Sequence, residues 1–272
     1  MFDVSQRAIS ILSKVSCIAC EDTRHSGILL KRLNIKNTLI SFHQHNTKKR
    51  LTEIIKKLQT GESIALISDA GLPGISDPGE ELVIEAKKLN IKTICIPGPC
   101  AAVTALVSSG IPTNRFCFEG FLPAKQKDRN EIILKIAKEN RTTILYESRY
   151  KLIKLLDELS KACGEERPIQ IARELTKLHE EFIGNNIGNV RKYFKENEPR
   201  GEFTIVLGPK VDRYNKEEIS NIEVLEEMKS LINKGYSFSR AAKHLSEQTG
   251  LPKRHLYSLL HKEISSDNIY KE

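Results

Sequence analysis

The chain has no long hydrophobic run. Its longest apolar stretches, such as Ser63 to Ile67 and Thr142 to Leu145, fall far short of the roughly 20 residues that a membrane-crossing helix needs. No basic start followed by an apolar core marks a signal peptide. These absences predict a soluble cytoplasmic protein. Nucleotide signatures are missing as well: no G-x-G-x-x-G follows a strand, and Gly74-x-x-x-x-Gly79 runs into Glu80 where a phosphate loop needs lysine. That disfavours a dinucleotide fold and a P-loop enzyme. G-x-S-x-G, H-E-x-x-H and His/Cys clusters with ligand spacing are absent too. Of six cysteines only Cys17-x-x-Cys20 has close spacing, and it has no second pair. Because it lies in the apolar run Val15 to Cys20, it reads as two small buried strand residues, with reduced thiols and no metal.

What is present fits a folded enzyme-sized chain. With 272 residues and 39% apolar content it can bury the core of one large domain or two ordinary ones. A net charge of +8 points to a polyanionic partner. Between Lys31 and Lys57 there are eight Lys/Arg against one acid, Glu53, which makes that segment a candidate electrostatic face.

Strand-like runs alternate with amphipathic helical ones: Ile18 to Glu21 then Gly27 to Leu33, Thr38 to His43 then Leu51 to Leu58, Ser63 to Asp69 then Glu80 to Leu89, Lys92 to Pro97 then Ala101 to Ser108. Repeated strand then helix predicts an α/β domain with a mainly parallel sheet. The turn-rich stretch Ser109 to Arg115 divides this from a second set. That set comprises strands at Phe116 to Leu122, Thr142 to Glu147, Ile169 to Leu175, His179 to Gly184 and Phe203 to Leu207. Its helices are Asp128 to Glu139 and Leu152 to Lys161. The close strands near Ile169 and Phe182 predict a mixed sheet. After Pro209 three helical runs follow, Glu217 to Asn233, Ser239 to Thr249 and Lys253 to His261, with Ser237 or Ser239 as a cap. The expected domains are 1–112, 113–210 and a basic helical appendage over 211–272.

The segment most suggestive of chemistry is Ser68-Asp-Ala-Gly-Leu-Pro-Gly-Ile-Ser-Asp-Pro-Gly79. It packs three Gly, two Pro and two Asp into twelve positions after an apolar strand. Such a stiff loop exposes main-chain N–H and C=O groups at the strand end where open α/β sheets bind ligands. Pro97-Gly-Pro-Cys-Ala101, at the start of a helix, supplies a second backbone-lined wall.

Together with Cys20-Glu-Asp-Thr-Arg24, Pro97-Gly-Pro99, Ser109-Gly-Ile-Pro112, Gly120-Phe-Leu-Pro123, Arg173-Glu-Leu-Thr-Lys177 and Gly201-Glu-Phe-Thr204, this loop resembles the bacterial 16S ribosomal RNA cytidine 2′-O-methyltransferase family. That family belongs to the tetrapyrrole-methylase-like methyltransferases. The resemblance runs from about Asp3 to Pro209, and Gly235-Tyr-Ser-Phe-Ser-Arg-Ala-Ala-Lys243 extends it into the tail.

The resemblance implies two α/β domains of the tetrapyrrole methylase type with S-adenosylmethionine in the cleft between them. Asp69, Ala70, Gly71, Gly74, Ile75 and Ser76 would form one side of the cofactor site, and Cys100 and Ala101 another. Glu147, Thr176, Gly201, Glu202, Phe203 and Thr204 would close it. The substrate would be 16S ribosomal RNA or the small ribosomal subunit, and the assembly a homodimer. A ribose hydroxyl needs a proton acceptor, for which Glu147, Lys177 and Glu180 are candidates. Arg24, His25 and Arg173 are candidates to hold phosphate, as are Arg240, Lys243, Lys253 and Arg254 in the tail.

Three departures from the family pattern stand out. Cys100 replaces the usual Ser after Pro-Gly-Pro. Tyr146-Glu-Ser-Arg-Tyr-Lys151 lacks the Pro-His-Arg that often follows Tyr-Glu-Ser. Met1 to Arg7 matches the start of the family's first helix, so an apolar strand and a Gly/Pro/Asn loop are expected upstream. Two other readings stay open at this point, a precorrin-type tetrapyrrole methylase and a noncatalytic nucleic-acid-binding protein. The basic segments favour RNA over a macrocycle.

Overall fold

The computed structural model describes residues 3–210 and 221–259. The chain divides into two compact units, Met1–Lys210 and Val211–Glu272. In the first, helix α1 (Gln6–Lys14) is capped by Ser5, whose Oγ accepts the Ala8 N–H at 3.1 Å. It leads into β1 (Cys17–Cys20), every residue of which is buried. α2 (Thr23–Arg32), β2 (Leu39–Ser41), α3 (Thr47–Gln59), β3 (Ile64–Ile67), α4 (Glu80–Lys88) and α5 (Ala101–Ser108) follow. The sheet order is β2-β1-β3, all parallel. A strand flanked on both sides must be apolar throughout, and the run Cys-Ile-Ala-Cys meets that demand. The buried Cys17 and Cys20 are the two ends of that strand.

Lys92 to Pro97 does not form the expected strand. The segment has no regular structure, Lys92 to Cys95 are exposed, and none of its backbone groups enters a ladder among the described residues. Its β-branched residues supply the propensity, but a strand exists only where a neighbour offers matching N–H and C=O groups.

The second sheet contains β4 (Phe116–Phe121), β5 (Thr142–Ser148), β6 (Pro168–Arg173), β7 (Glu181–Asn186) and β8 (Glu202–Leu207), in the order β4-β5-β8-β6-β7. β4 and β5 pair in parallel and the other pairs are antiparallel, so the sheet is mixed as expected. One face packs on α6 (Gln126–Lys138), α7 (Leu152–Cys163) and α8 (Ile187–Glu196) through Leu145, Ile171, Phe203, Leu155 and Val190. The other face packs on α5 through Ile144, Ala172, Val206, Ala105 and Leu106. α5 thus links the two halves of the unit. α8 was not expected from the sequence; Asn186 caps it, accepting the Asn189 N–H at 2.8 Å, and its buried Ile187, Val190 and Phe194 follow helical spacing.

In the second unit, α9 (Asn221–Asn233), α10 (Phe238–Thr249) and a helical stretch over 253–259 surround Val224, Met228, Ala241, Ala242, Leu245 and Leu256. Ser237 is the N-cap residue of α10, and Gly250 closes it at φ 71°. The ends of two expected runs, 217–220 and 260–261, lie outside the described residues. Among the described residues no helix is long and apolar enough to cross a membrane.

Candidate functional site

β1 and β3 are paired in register, Cys20 beside Ile67, so the chain leaves both at the same sheet edge. The Asp22 N–H donates to Asp69 Oδ1 at 3.3 Å, and His25 Nδ1 lies 3.6 Å from Asp69 Oδ2. Asp22 caps α2 through the Arg24 N–H and also binds the Arg24 guanidinium at 2.6 Å. Those bonds hold the half-buried Asp22 carboxyl well below the usual range.

The Ser68-to-Gly79 loop turns through left-handed backbone at Gly71 (φ 80°), Gly74 (81°) and Ser76 (61°), and Gly79 has φ 142°. A β-carbon on Gly79 would lie 2.6 Å from Leu66 Cδ2, so a side chain at the return into α4 would have to displace the tip of Leu66 and adopt φ 142°. The Ser68 hydroxyl lies 3.2 and 3.1 Å from the carbonyl oxygens of Ala70 and Gly71 and braces the first turn. The position of a β-carbon on Gly71 is 3.6 Å from the Pro99 carbonyl, so the second loop runs directly against the first. The N–H groups of Ala70, Gly71, Gly98, Cys100 and Ala101 have no backbone partner among the described residues.

The second sheet completes the cleft. The β4–β5 register shifts between Phe118 and Gly120, with Gly120 at φ 61°. This irregularity brings Gly120 against Ser76 of the first loop. Beside it, the Tyr146 hydroxyl oxygen accepts the Ala102 N–H at 3.1 Å, at the start of α5. The Tyr146 ring lies between Phe118 and Phe121, with centroid distances of 5.1 and 5.5 Å. Burial raises the Tyr146 pKa, and nearby Cys100 and Asp77 add to the shift. Asp77 is raised as well, first by burial and then by Asp69 and Glu202, with the Ser68 hydroxyl partly offsetting them. The cleft therefore holds a carboxyl that resists ionisation beside a phenol that keeps its proton.

On the adjoining strands, Glu174 (φ 51°) and Thr176 (φ 65°) shape a tight turn after β6. Glu174 Oε1 accepts the Glu202 N–H at 2.9 Å, and Lys177 Nζ binds Glu174 at 3.0 Å and Glu202 at 2.8 Å. Gly201 is required there, because a β-carbon would lie 2.5 Å from Glu174 Cγ. Burial alone would raise the Glu174 pKa, but the Glu202 N–H and Lys177 together lower it. Lys177 shows the opposite balance: burial would lower its pKa, but Glu202 and Glu174 raise it, which favours a lasting cation.

Of the residues expected on the first side of the cofactor site, Gly71 runs against the Pro99 carbonyl beside Cys100 and Ala101, Ser76 meets Gly120, and Asp69 lies beside Asp22 and His25; Ala70, Gly74 and Ile75 belong to the same loop. Thr204 shares the α5-facing side of β8, paired with Tyr146 and Ala172. Glu147 and Phe203 face the opposite side. Glu147 is buried with Arg129 at 3.3 Å, which also binds Glu158 at 2.7 Å, and Phe203 packs on Phe194. Glu180 accepts the Thr176 N–H. Arg24 and Arg173 are already paired, the latter with Glu181 at 2.9 Å and the Arg200 carbonyl at 2.6 Å. In the second unit Arg240 stacks on Tyr236 at 5.1 Å, Lys243 lies 3.9 Å from Glu247, and Lys253 and Arg254 are exposed.

Sequence reasoning did not single out Asp77, Tyr146 or Gly120. Asp77 stands inside the quoted loop, and the parity of Ile144 and Tyr146 puts both on one face of β5. The strand alone does not tell which face meets the cleft.

Residues 2–191 match the family described as Tetrapyrrole (Corrin/Porphyrin) Methylases. A Synechocystis protein named ribosomal RNA small subunit methyltransferase I is 45% identical over 257 residues, 94% of this chain and 92% of that protein. The protein of the same name from Pasteurella multocida is 44% identical, covering 94% and 90%. Among solved structures, a cobalt precorrin-4 methyltransferase shares the fold with a TM-score of 0.57 at 14% identity, over 76% of this chain and 89% of that one. By sequence and fold together, the chain belongs to the tetrapyrrole methylase family and, within it, to the ribosomal RNA small subunit methyltransferase I group.

Proposed function

We propose that the protein transfers a methyl group from S-adenosylmethionine to the 2′-hydroxyl of a cytidine in 16S ribosomal RNA. The observation that carries this reading is the closure of the Ser68-to-Gly79 loop on the second sheet at Ser76 and Gly120. That approach gathers Asp77, Cys100 and Tyr146 beside main-chain N–H groups with no backbone partner. The donor set fits the cofactor. Free N–H groups at Ala70, Gly71, Cys100 and Ala101 suit its carboxylate and ring acceptors. Bound there, the cofactor supplies an electrophilic methyl group.

The chain's own residues orient the acceptor and manage its proton. Displacement at a methyl carbon requires alignment, and much of the acceleration comes from positioning. The constrained loop, with left-handed backbone at Gly71, Gly74 and Ser76, gives that rigidity. Asp77, next to Ser76 where the loop meets Gly120, is the candidate proton acceptor, and burial raises its pKa so that it holds a proton more firmly than an ordinary aspartate. Tyr146, hydrogen-bonded to the Ala102 N–H, positions the start of α5. Glu147 is tied up with Arg129 on the far face, and Lys177 is held as a cation, so neither is placed to receive the proton.

Ribosomal RNA is favoured over a macrocycle by the names of the relatives, by the charge of +8 and by exposed cations in the tail. In this reading the protein works in the cytoplasm as a homodimer. The test is to incubate the protein with methyl-labelled S-adenosylmethionine and, separately, 16S transcript, small subunits and a precorrin. Label in 2′-O-methylcytidine supports the reading; label in the precorrin alone refutes it.

A further inference from the structure

We propose that Arg149-Tyr150-Lys151, the tip joining β5 to α7, is a stacking platform for an unpaired base of the RNA substrate; this rests on the RNA-methylating reading above. Tyr150 is 80% exposed, and the Arg149 guanidinium carbon lies 4.6 Å from the centroid of its ring. Arg149 also donates to the Tyr150 hydroxyl. The tip is held firmly at both ends. The Lys151 N–H donates to the Ser148 carbonyl at 3.1 Å, and Leu152 is fully buried at the start of α7.

Its position and charge set it apart. Ser148 pairs with Glu202 in the β5–β8 ladder, so the tip leaves the sheet at the edge that carries the candidate cleft. Other cations near that edge are matched by carboxylates: Arg24 with Asp22, Lys177 with Glu174 and Glu202, Arg173 with Glu181, and Arg200 with Glu198. Among the described residues, Arg149 and Lys151 have no carboxylate partner in an ion pair. Two unneutralised cations around an exposed ring match a nucleotide, with phosphate for the charges and a base for the aromatic face. Because the tip is already ordered, it loses little freedom on binding.

The chain contains no tryptophan, so Tyr150→Trp introduces a single indole at the proposed platform. We expect protein-free 16S transcript to quench its emission in this chain. Tyr150→Ala should raise the KM for the transcript about tenfold, a typical loss for one base stack, with kcat and cofactor affinity near wild type. Tyr150→Phe should restore the wild-type KM. Unquenched emission under saturating transcript, or an unchanged KM for Tyr150→Ala with an unchanged melting temperature, overturns the platform. So does a shift of Tyr150→Ala from dimer to monomer in sedimentation at unchanged KM, which would place the tip between copies of the chain. Wild-type protein that methylates neither transcript nor subunits overturns the functional reading itself and the platform with it.

Discussion

A β-carbon on Gly120 would lie 3.0 Å from the Ser76 hydroxyl oxygen, and Gly120 has φ 61°. At this one point the irregular edge strand of the second sheet fits against the candidate cofactor loop of the first. Gly120→Ala therefore strains the backbone by about 1–2 kcal/mol and pushes on Ser76. We expect a lower melting temperature together with weaker S-adenosylmethionine binding, measured by calorimetry. Gly61→Ala is the control: Gly61 has φ 91° and nothing within 4 Å of its added carbon, so it should lose stability and keep cofactor affinity. Equal affinity for the two variants would remove the loop from the cofactor site.

Asp77 links rate to stability with opposite signs. Its pKa is raised above the ordinary 3.8, so the folded state holds this proton more tightly than the unfolded chain. The stability it contributes is fully present below about pH 3.8 and is lost as pH rises through the raised value. Asp77→Asn should therefore melt higher than wild type at neutral pH, with an advantage that shrinks toward acid. Its kcat should fall roughly 100-fold, the smaller end of what a general base provides. A variant with wild-type kcat would exclude Asp77 as proton acceptor.

Arg129 and Glu147 form a buried pair, 3% and 4% exposed, with Glu158 on the same guanidinium. Removing one member of such a pair strands the other, at a cost of roughly 3–5 kcal/mol. Arg129→Met should be strongly destabilised in urea. Glu147→Gln keeps the packing and most of the hydrogen bonds and should methylate near the wild-type rate. Loss of activity in a stably folded Glu147→Gln protein would return Glu147 to the reaction.

Arg240, Lys243, Lys253 and Arg254 test the tail. Replacing all four by alanine should weaken RNA binding and flatten its salt dependence, by about 0.7 in log–log slope for each phosphate that is no longer neutralised. Cofactor affinity should not change. An unchanged slope would make the tail a packing element.

The alternation of strand and helix was legible because each strand of the first sheet is a short apolar run and each crossover helix has a polar face. The Ser68-to-Gly79 loop was legible because left-handed turns leave a mark in glycine. Partnership between strands leaves no local mark. Lys92 to Pro97 has the composition of a strand but no ladder, and α8 follows β7 directly at Asn186 without a Gly or Pro break. Glu147 attracts attention as a carboxylate, but its neighbour Tyr146 points into the cleft. The side of β5 that meets α5 depends on long-range packing by Ile144, Ala172 and Val206.

Ribose methylation of small-subunit RNA at this cleft is read out by nucleoside mass spectrometry of 16S ribosomal RNA. RNA would be taken from cells with the gene, without it, and complemented with wild type or Asp77→Asn. One 2′-O-methylcytidine should disappear on deletion, return with wild type and stay depleted with Asp77→Asn. A 2′-O-methylcytidine content that does not change on deletion would contradict ribose methylation at this cleft.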